Sequence, residues 1–262
     1  MSRVTDQAYL QGNQYKTSRN LAARADLHRR YSTNPTGWLA WVFDQLALQP
    51  GRRVLEVGGG PGWLWRENAA RLPAGLRLTL SDYSPGMAAE AVRHVRAPGF
   101  VGDAQALPLP AARFDWVVAN HMLYHVPDLP RAVRELARVL APGGRLCAAT
   151  NGLGHLQELY ALVAGYDPWG DRGDSPFRYR LDNAAEVLAP GFAHVEVRRY
   201  PDSLWITAAQ PAVDYLSSMS SWSELAGQIS LAELQARVQA RIDAEGGLRV
   251  SKDTGVVFAW ND

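Results

Sequence analysis

A glycine-rich segment, Val54 to Trp63 (VLEVGGGPGW), constrains the fold more than any other part of this sequence. A short apolar run leads directly into Gly58, Gly60 and Gly62, and a helix-like stretch follows. Glycines let the backbone turn tightly and approach a ligand closely, because no Cβ is in the way. The first turn of the next helix presents N–H groups without partners. The segment therefore predicts a strand–loop–helix unit that binds a nucleotide-like ligand.

The glycine spacing distinguishes between kinds of nucleotide-binding loop. In a dinucleotide fingerprint, G-x-G-x-x-G/A, the third small residue falls on Trp63, which is too large for close packing of helix on strand. A loop of the G-x-x-x-x-G-K-[ST] type needs a lysine that this segment lacks. The spacing that is present is E-x-G-x-G-x-G, with Glu56 on the strand.

Short apolar runs alternate with helix-like stretches after position 50. The apolar runs are Arg53–Val57, Leu76–Leu80, Phe100–Val101, Trp116–Ala119 and Leu146–Thr150. The helix-like stretches are Trp65–Arg71, Met87–Val95 and Leu129–Leu140. Such alternation is typical of a parallel sheet covered by helices on both faces. Two helices are expected before the sheet, one along the stripe Asn20, Arg24, Leu27 and Tyr31, and one from about Thr36 to Leu48.

The alternation is less regular after Thr150. We expect a loop at Tyr166–Ser175, a short helix from Asp182, a strand near His194–Tyr200, helices near Val213–Ser218 and Leu231–Ala244, and a last strand near Val256–Trp260. Three tryptophans of this part are candidates either for an apolar ligand pocket or for packing of lid helices: Trp169, Trp205 and Trp222.

Composition and charge argue against several classes of protein. A chain of 262 residues fits one α/β domain with additions. Cys147 is the single cysteine, so no internal disulfide can form and a reducing, cytoplasmic location is expected. The N-terminal segment has no apolar core of signal-peptide length, and no apolar run is long enough for a membrane span. The net charge of +1 argues against a nucleic-acid-binding surface.

The glycine segment resembles motif I of class I S-adenosylmethionine (SAM)-dependent methyltransferases, and four further segments resemble that family in the expected order. They are LTLSDYSPGM (78–87), GDAQALPLP (102–110), FDWVVANHMLYHV (114–126) and RAVRELARVLAPGGRLCAATNG (131–152). Five motifs in order, from residue 54 to 152, make the chain similar to the methyltransferase type 11 group, in its small-molecule branch.

The resemblance implies an α/β fold: a Rossmann-like seven-stranded sheet in the order 3-2-1-4-5-7-6, with the last strand antiparallel. It implies one domain, with an N-terminal helical cap (1–49), a SAM-binding core (50–152) and a substrate-side part (153–262) that contains a helical lid insertion at about 207–246. The implied reaction is methyl transfer from SAM to an O, N or C nucleophile of a small molecule, for example a secondary metabolite. S-adenosylhomocysteine (SAH) is then the product.

Cofactor-binding roles follow from the resemblance by position. Asp82 matches the acid that binds the ribose, and Asp103 and Ala104 match the turn that binds adenine. The other implied contacts are Tyr83 and Met87 beside the adenine ring, the Gly58 and Asn120 carbonyls at the methionine tail, and the loop formed by Gly60 and Gly62 with Glu56. Structural roles are the alternatives: a helix cap for Asp82, a turn for Asp103, and ordering of the glycine loop for Glu56.

Three residues after the fourth strand are the candidate catalytic residues: His121, Tyr124 and His125. In open α/β sheets a ligand lies beyond the carboxyl ends of the strands, where this loop is expected. A general base is needed only if the nucleophile is protonated, and packing is the alternative role of both histidines. His28 and His155 are further histidines that can reach such a pocket.

The same residues argue against several other functions. His121 and His125 form H-x-x-x-H, but Met122 stands where the metalloprotease motif requires glutamate, so no metal is expected. Asn120–Leu123 lacks the [DNS]-P-P-[YFW] motif of adenine and cytosine N-methyltransferases, and Asn120–His125 lacks the acids that an aminopropyl transferase needs. A non-catalytic SAM-binding sensor or partner subunit stays open, as do the acceptor and the oligomeric state.

Overall fold

Five parallel strands form the larger part of a seven-stranded sheet in the computed structural model, which describes residues 4–163, 178–219, 222 and 229–262. The strands are β1 Arg53–Val57, β2 Arg77–Asp82, β3 Gly99–Val101, β4 Phe114–Asn120, β5 Leu140–Asn151, β6 His194–Arg199, β7 Asp202–Ile206, β8 Leu248–Lys252 and β9 Thr254–Trp260. The order of the large sheet is β3-β2-β1-β4-β5-β9-β6, and β9 is antiparallel to both neighbours. The predicted Rossmann-like order with an antiparallel last strand is confirmed.

Ten α-helices surround the strands in the described part of the chain, and side chains cap several of them. They are α1 Gln7–Tyr9, α2 Arg19–Tyr31, α3 Trp38–Leu46, α4 Trp63–Glu67, α5 Pro85–Val95, α6 Leu129–Val139, α7 Gln157–Tyr160, α8 Ala184–Leu188, α9 Ala209–Ser217 and α10 Leu231–Glu245. Ser84, Asp128 and Ser230 accept hydrogen bonds from the first turns of α5, α6 and α10. In the part of the chain that the structure describes, no helix combines the length and apolar character needed to cross a membrane.

Both faces of the sheet are covered, because neighbouring residues of each strand point to opposite faces. Leu55 of β1 and Val117 of β4 belong to a core that includes α6 and α8. Their neighbours Val54 and Val118 belong to a second core that includes α3, α4 and α5. The unbroken apolar strands of the sequence are therefore buried on both sides, as predicted.

A third core joins α2 to α7, α9, α10, β7 and β8. Leu27, Leu159, Leu216, Val238 and Val250 are among its buried residues. The helices expected near 213–218 and 231–244 are present, and the first of them begins earlier, at Ala209.

The sequence prediction missed the antiparallel pair β7–β8, which flanks these helices. Its strands are short and contain both polar and apolar residues, and the paired residues are more than about 40 positions apart in the sequence. No local pattern therefore indicates these strands. Trp205, on β7, is exposed, and Trp222 packs against the third core. Neither of these two residues lines the cavity described below. The predicted loop at 166–175, with Trp169, lies outside the described residues.

Candidate active site

A cavity of about 620 Å³ lies beyond the carboxyl ends of β1, β2, β4 and β5. The N-terminal segment, α2 and the end of β8 close it from the other side, through residues such as Tyr15, His28 and Lys252. All of the sequence-predicted site residues except Gly62 line this cavity: Glu56, Gly58, Gly60, Asp82, Tyr83, Met87, Asp103, Ala104, Asn120, His121, Tyr124 and His125.

Two glycines of the loop after β1 have distinct structural roles. Gly60 has φ +56°, and a Cβ built there meets only Leu21 Cδ2, at 3.5 Å, so it would project into the cavity. Gly62 has φ +74° and caps α4, and a Cβ there would lie 2.6 Å from Val95 Cγ2. Gly60 therefore leaves space for a ligand, whereas Gly62 allows α4 to start close against α5.

Asp82, at the end of β2, ties the glycine loop to the start of α5. Its Oδ2 accepts a hydrogen bond from Gly60 N at 2.9 Å, and its Oδ1 accepts one from Ser84 N at 2.8 Å. Burial raises the pKa of this carboxyl, and the backbone N–H donors oppose the rise. Ser84, not Asp82, caps α5, because its Oγ accepts the Met87 N–H at 3.3 Å. Each carboxylate oxygen has a second acceptor position, so Asp82 can still bind a pair of hydroxyls.

Glu56 lies beneath the glycine loop and is 1% exposed. Its Oε2 accepts a hydrogen bond from Trp65 Nε1 at 2.8 Å, and a Cβ on Gly59 would collide with the same oxygen. Burial raises the pKa of Glu56 to about 8, with the nearby Asp82 charge adding to the rise and the Trp65 bond opposing it. These contacts match the alternative in which Glu56 orders the glycine loop, and no sequence pattern indicates Trp65 as its partner.

Replacement of Glu56 by glutamine is expected to change how stability depends on pH. The folded-state pKa lies above the unfolded value of about 4.5, so in the wild type this group's contribution to stability is full at low pH and falls as pH rises towards 8. Relative to Glu56→Gln, the wild type should therefore lose about 2 kcal/mol of unfolding free energy between pH 6 and pH 8. Urea unfolding of both proteins at several pH values measures this. A difference that is constant with pH would contradict the buried, protonated carboxyl.

The turn after β3 forms one end of the cavity. The Asp103 carboxyl accepts hydrogen bonds from Gln105 N at 2.8 Å and from Gln105 Nε2 at 3.0 Å. Asp103 therefore both forms the turn and lines the cavity. Ala104 and Met87 are buried, whereas Tyr83 is partly exposed at the cavity edge.

The residues present fit SAM. Asn120 Oδ1, at the end of β4, is buried and has no hydrogen-bond partner among the described residues, which suits a cationic ammonium. The free acceptor positions of Asp82 suit ribose hydroxyls, and the space above Gly60 admits a ligand backbone. Asp82 ends β2, Gly60 follows β1 and Asn120 ends β4, so the three lie at the ends of neighbouring strands, and all of them line the cavity.

His125 holds the N-terminal segment over the cavity. Its Nδ1 donates to the Val4 carbonyl oxygen at 2.8 Å, and its Nε2 accepts from the Tyr15 hydroxyl at 2.9 Å. Burial lowers the pKa of His125 to about 4. The Tyr124 ring packs edge-on against His125 with centroids 4.6 Å apart, and burial raises the pKa of its phenol far above the ordinary value. Both ring nitrogens of His125 are therefore hydrogen-bonded to other residues of the protein.

His121 follows β4 in a left-handed conformation, with φ +54°. Its N–H donates to the Ala149 carbonyl oxygen at 3.0 Å, and its ring lies 5.4 Å from that of Trp38. Burial, together with the charge of Lys252, lowers the pKa of the imidazole to about 4. A non-glycine residue with positive φ is uncommon and is often found where function constrains the backbone. His121 is therefore neutral at physiological pH and faces the cavity from the sheet.

A buried ion pair, which sequence analysis missed, lies on the side of the cavity formed by α2, α9, β8 and the segment after β5, called here the lid side. Lys252 Nζ of β8 lies 2.5 Å from Asp202 Oδ2 of β7, and the two side chains are 4% and 0% exposed. Ser32 Oγ, at the end of α2, also donates to Asp202. The pair joins α2 to the small sheet and places Lys252 at the cavity. Because 50 residues separate the partners, no spacing in the sequence indicates the contact.

Comparison with known proteins agrees with this geometry. A family profile described as a methyltransferase domain matches residues 55–148. Malonyl-[acyl-carrier protein] O-methyltransferase of Enterobacter lignolyticus is 34% identical over 183 residues, 67% of this chain and 66% of that protein. Demethylmenaquinone methyltransferase of Beutenbergia cavernae is 35% identical over 174 residues, 65% of this chain and 68% of that protein. The chain thus spans about two thirds of the length of these two relatives.

The fold is shared with a solved methyltransferase. Phosphoethanolamine N-methyltransferase 2 of Haemonchus contortus, solved in complex with SAM, superposes with a TM-score of 0.60 and 19% identity. That superposition covers 97% of this chain and 59% of the other. Domain profile, curated relatives and shared fold agree: the chain belongs to the class I SAM-dependent methyltransferases.

Proposed function

We propose that this chain transfers the methyl group of SAM to a small molecule held in the same cavity. The observation that carries the proposal is the continuity of one cavity of about 620 Å³ from the glycine loop to the histidines and Lys252 at the lid. When bound, SAM supplies an electrophilic methyl group. The protein then has to align the acceptor with it and to exclude water.

The wall formed by β1, β2 and β4 is assigned to the cofactor. Asp82 binds the ribose hydroxyls, Asp103 and Ala104 bind adenine, and Asn120 binds the ammonium group of the methionine tail. Tyr83 and Met87 border the adenine, while Gly58 and Gly60 keep the loop clear of it. Glu56 and Gly62 support the loop from beneath, through Trp65 and α5.

The histidines after β4 have different roles in this proposal. His121 is the residue that removes a proton from the acceptor, when the acceptor carries one, because its ring is neutral and faces the cavity. His125 and Tyr124 contribute by keeping the N-terminal segment in place, since His125 binds Val4 and Tyr15. That segment separates the cavity from water.

Similarity to known methyltransferases does not identify the acceptor. One relative is named as an O-methyltransferase of malonyl-[acyl-carrier protein], and another as a demethylmenaquinone methyltransferase. Because relatives at similar identity carry different acceptors in their names, the acceptor must be identified from this chain's own cavity.

Mass spectrometry tests the proposal. The purified protein is incubated with SAM and a small-molecule extract, and products heavier by one methylene unit are sought. We expect at least one such product, together with SAH, and none with Gly60→Val. If calorimetry shows that SAM binds but no acceptor is ever methylated, the sensor alternative replaces the enzyme.

Asp82→Ala is expected to weaken SAM binding by about 1.5–3 kcal/mol, the scale of hydrogen bonds to a charged group. The loss combines the ribose contact with the support that the carboxyl gives to Gly60 N. Asp115→Ala is the matched control, because Asp115 pairs with Arg53 at 2.8 Å and does not line the cavity. Calorimetry on both folded variants measures the effect. Unchanged affinity in Asp82→Ala would remove Asp82 from the site.

A further inference from the structure

The lid side of the cavity contains polar atoms that the described protein does not satisfy. His155, which follows β5, is 4% exposed, and its Nδ1 has no hydrogen-bond partner among the described residues. The same holds for His28 Nδ1 on α2 and for Asn151 Oδ1 at the end of β5. All three residues line the cavity. Buried polar atoms are normally paired, so these atoms indicate where polar groups of a ligand lie.

Burial, with His28, His121 and Lys252 nearby, holds the pKa of His155 well below its ordinary range, so the ring is neutral at neutral pH. A neutral imidazole has one protonated nitrogen and one nitrogen with a bare lone pair. Nδ1 of His155 has no hydrogen-bond partner among the described residues. When the proton is on Nε2, Nδ1 can accept a hydrogen bond from a ligand hydroxyl.

The charged groups around this lid side are paired only in part. Lys252 is paired with Asp202, which also accepts a hydrogen bond from Ser32. Arg24 donates to the Ser218 carbonyl oxygen at 3.0 Å, which is a neutral group. The carboxyl side chains that line the cavity are all on the cofactor side, at Glu56, Glu67, Asp82 and Asp103. A cationic acceptor would thus meet no unpaired carboxylate among the described residues on the lid side.

The walls of the lid side are largely aromatic. The rings of His28 and His155 stack with centroids 6.0 Å apart, and Tyr215 of α9 meets His28 edge-on at 5.6 Å. Trp38, at the start of α3, lies across from them beside His121. Aromatic walls favour a flat ring in the ligand, through offset or edge-on contacts.

We propose that the lid side of the cavity binds an uncharged phenol, whose hydroxyl group donates a hydrogen bond to Nδ1 of His155. Asn151 Oδ1 is a second acceptor for a neighbouring donor on the same molecule. His155 is here a positioning residue that selects a hydroxyl-bearing acceptor over carboxylates and amines. The inference rests on the proposed methyl transfer and names the acceptor class for the same site.

Binding of matched naphthalene probes to the SAH-loaded protein tests the acceptor class. The probes are 2-naphthol, its methyl ether, 2-naphthoate and 2-naphthylmethylammonium, each titrated by calorimetry. We expect 2-naphthol to bind at least about tenfold more tightly than the methyl ether, which cannot donate a hydrogen bond. Equal affinities of these two, tighter binding of the carboxylate or the amine, or no binding of 2-naphthol would each overturn the proposal.

Variants of His155 separate recognition from packing. In His155→Ala, the affinity for 2-naphthol should fall to that of the methyl ether, while the affinity for the ether changes little. His155→Asn retains an acceptor close to the position of Nδ1 and should restore part of the preference. SAM affinity should be unchanged in both variants. If the wild type did not bind SAM, the proposed methyl transfer itself would be contradicted. A failure of the phenol proposal alone would leave SAM binding intact, so the two outcomes are distinguishable.

The tautomer of the His155 ring can be measured without any naphthalene probe. Nitrogen NMR of the SAH-loaded protein, with the His155 signals assigned by their loss in His155→Asn, should show a protonated Nε2 and an unprotonated Nδ1 at neutral pH. A proton on Nδ1, or a charged ring, would overturn the proposal, because the hydroxyl would then have no acceptor.

Discussion

Gly60→Val should bind SAM at least about a thousandfold more weakly than the wild type, which corresponds to about 4 kcal/mol. A side chain at this position would project into the cavity, where only Leu21 lies within 4 Å of the Cβ. The space that the valine fills is the space assigned to the cofactor. Calorimetry with SAM measures the affinity directly.

The backbone conformation of Gly60 makes a matched control necessary. Gly60 has φ +56°, and a valine there is strained whether or not a ligand binds. Gly143, an exposed residue near the start of β5, has φ +70° and nothing within 4 Å of a Cβ. Gly143→Val therefore carries comparable strain without filling the cavity, and should bind SAM normally. Normal binding by folded Gly60→Val would mean that the cofactor lies elsewhere.

His121→Ala should reduce turnover by about a hundredfold or more while leaving SAM affinity nearly unchanged. A positioned base contributes about 10²–10⁴-fold, so its loss is large. Because His121 has φ +54°, His121→Asn is the better match for the backbone, since asparagine tolerates this conformation. His194→Ala, at an exposed histidine paired with Asp262, should be fully active. Full turnover in both His121 variants would remove the base from this position.

The pH profile adds a second test of His121. From the sequence alone, the inflection is expected near the ordinary histidine value of about 6.5. The structure lowers the pKa of His121 to about 4, through burial and the Lys252 charge. The base is active when unprotonated, so activity falls only as pH drops towards 4 and is flat from pH 6 to 8. A wild-type rise between pH 6 and 7 that disappears in His121→Asn would contradict the buried environment.

Sequence patterns predicted the large sheet because its features are local. Each parallel strand is an unbroken apolar run next to its crossover helix, and the glycine loop occupies a single turn. The candidates Asp82 and Asp103 also come from local motifs, since Asp82 ends β2 and Asp103 lies two residues after β3. The resemblance then supplied the strand order, which periodicity alone does not contain.

The lid could not be predicted in the same way, because its contacts join distant parts of the chain. Asp202 contacts both Lys252 and Ser32, which lies at the end of α2. His125 looked like a catalytic candidate because it follows β4, yet its partners are Val4 and Tyr15, more than 100 residues away. Side chains that come together across such large sequence separations have no characteristic spacing in the sequence.

A crystal structure of the protein with SAH and its methylated product tests whether cofactor and acceptor share one cavity. We expect the ribose of SAH on Asp82, its adenine at Asp103 and Ala104, and the product between His121 and the lid-side residues His28 and His155. Both ligands should lie in the one cavity. SAH bound away from the glycine loop, or a product bound outside this cavity, would contradict the proposed site.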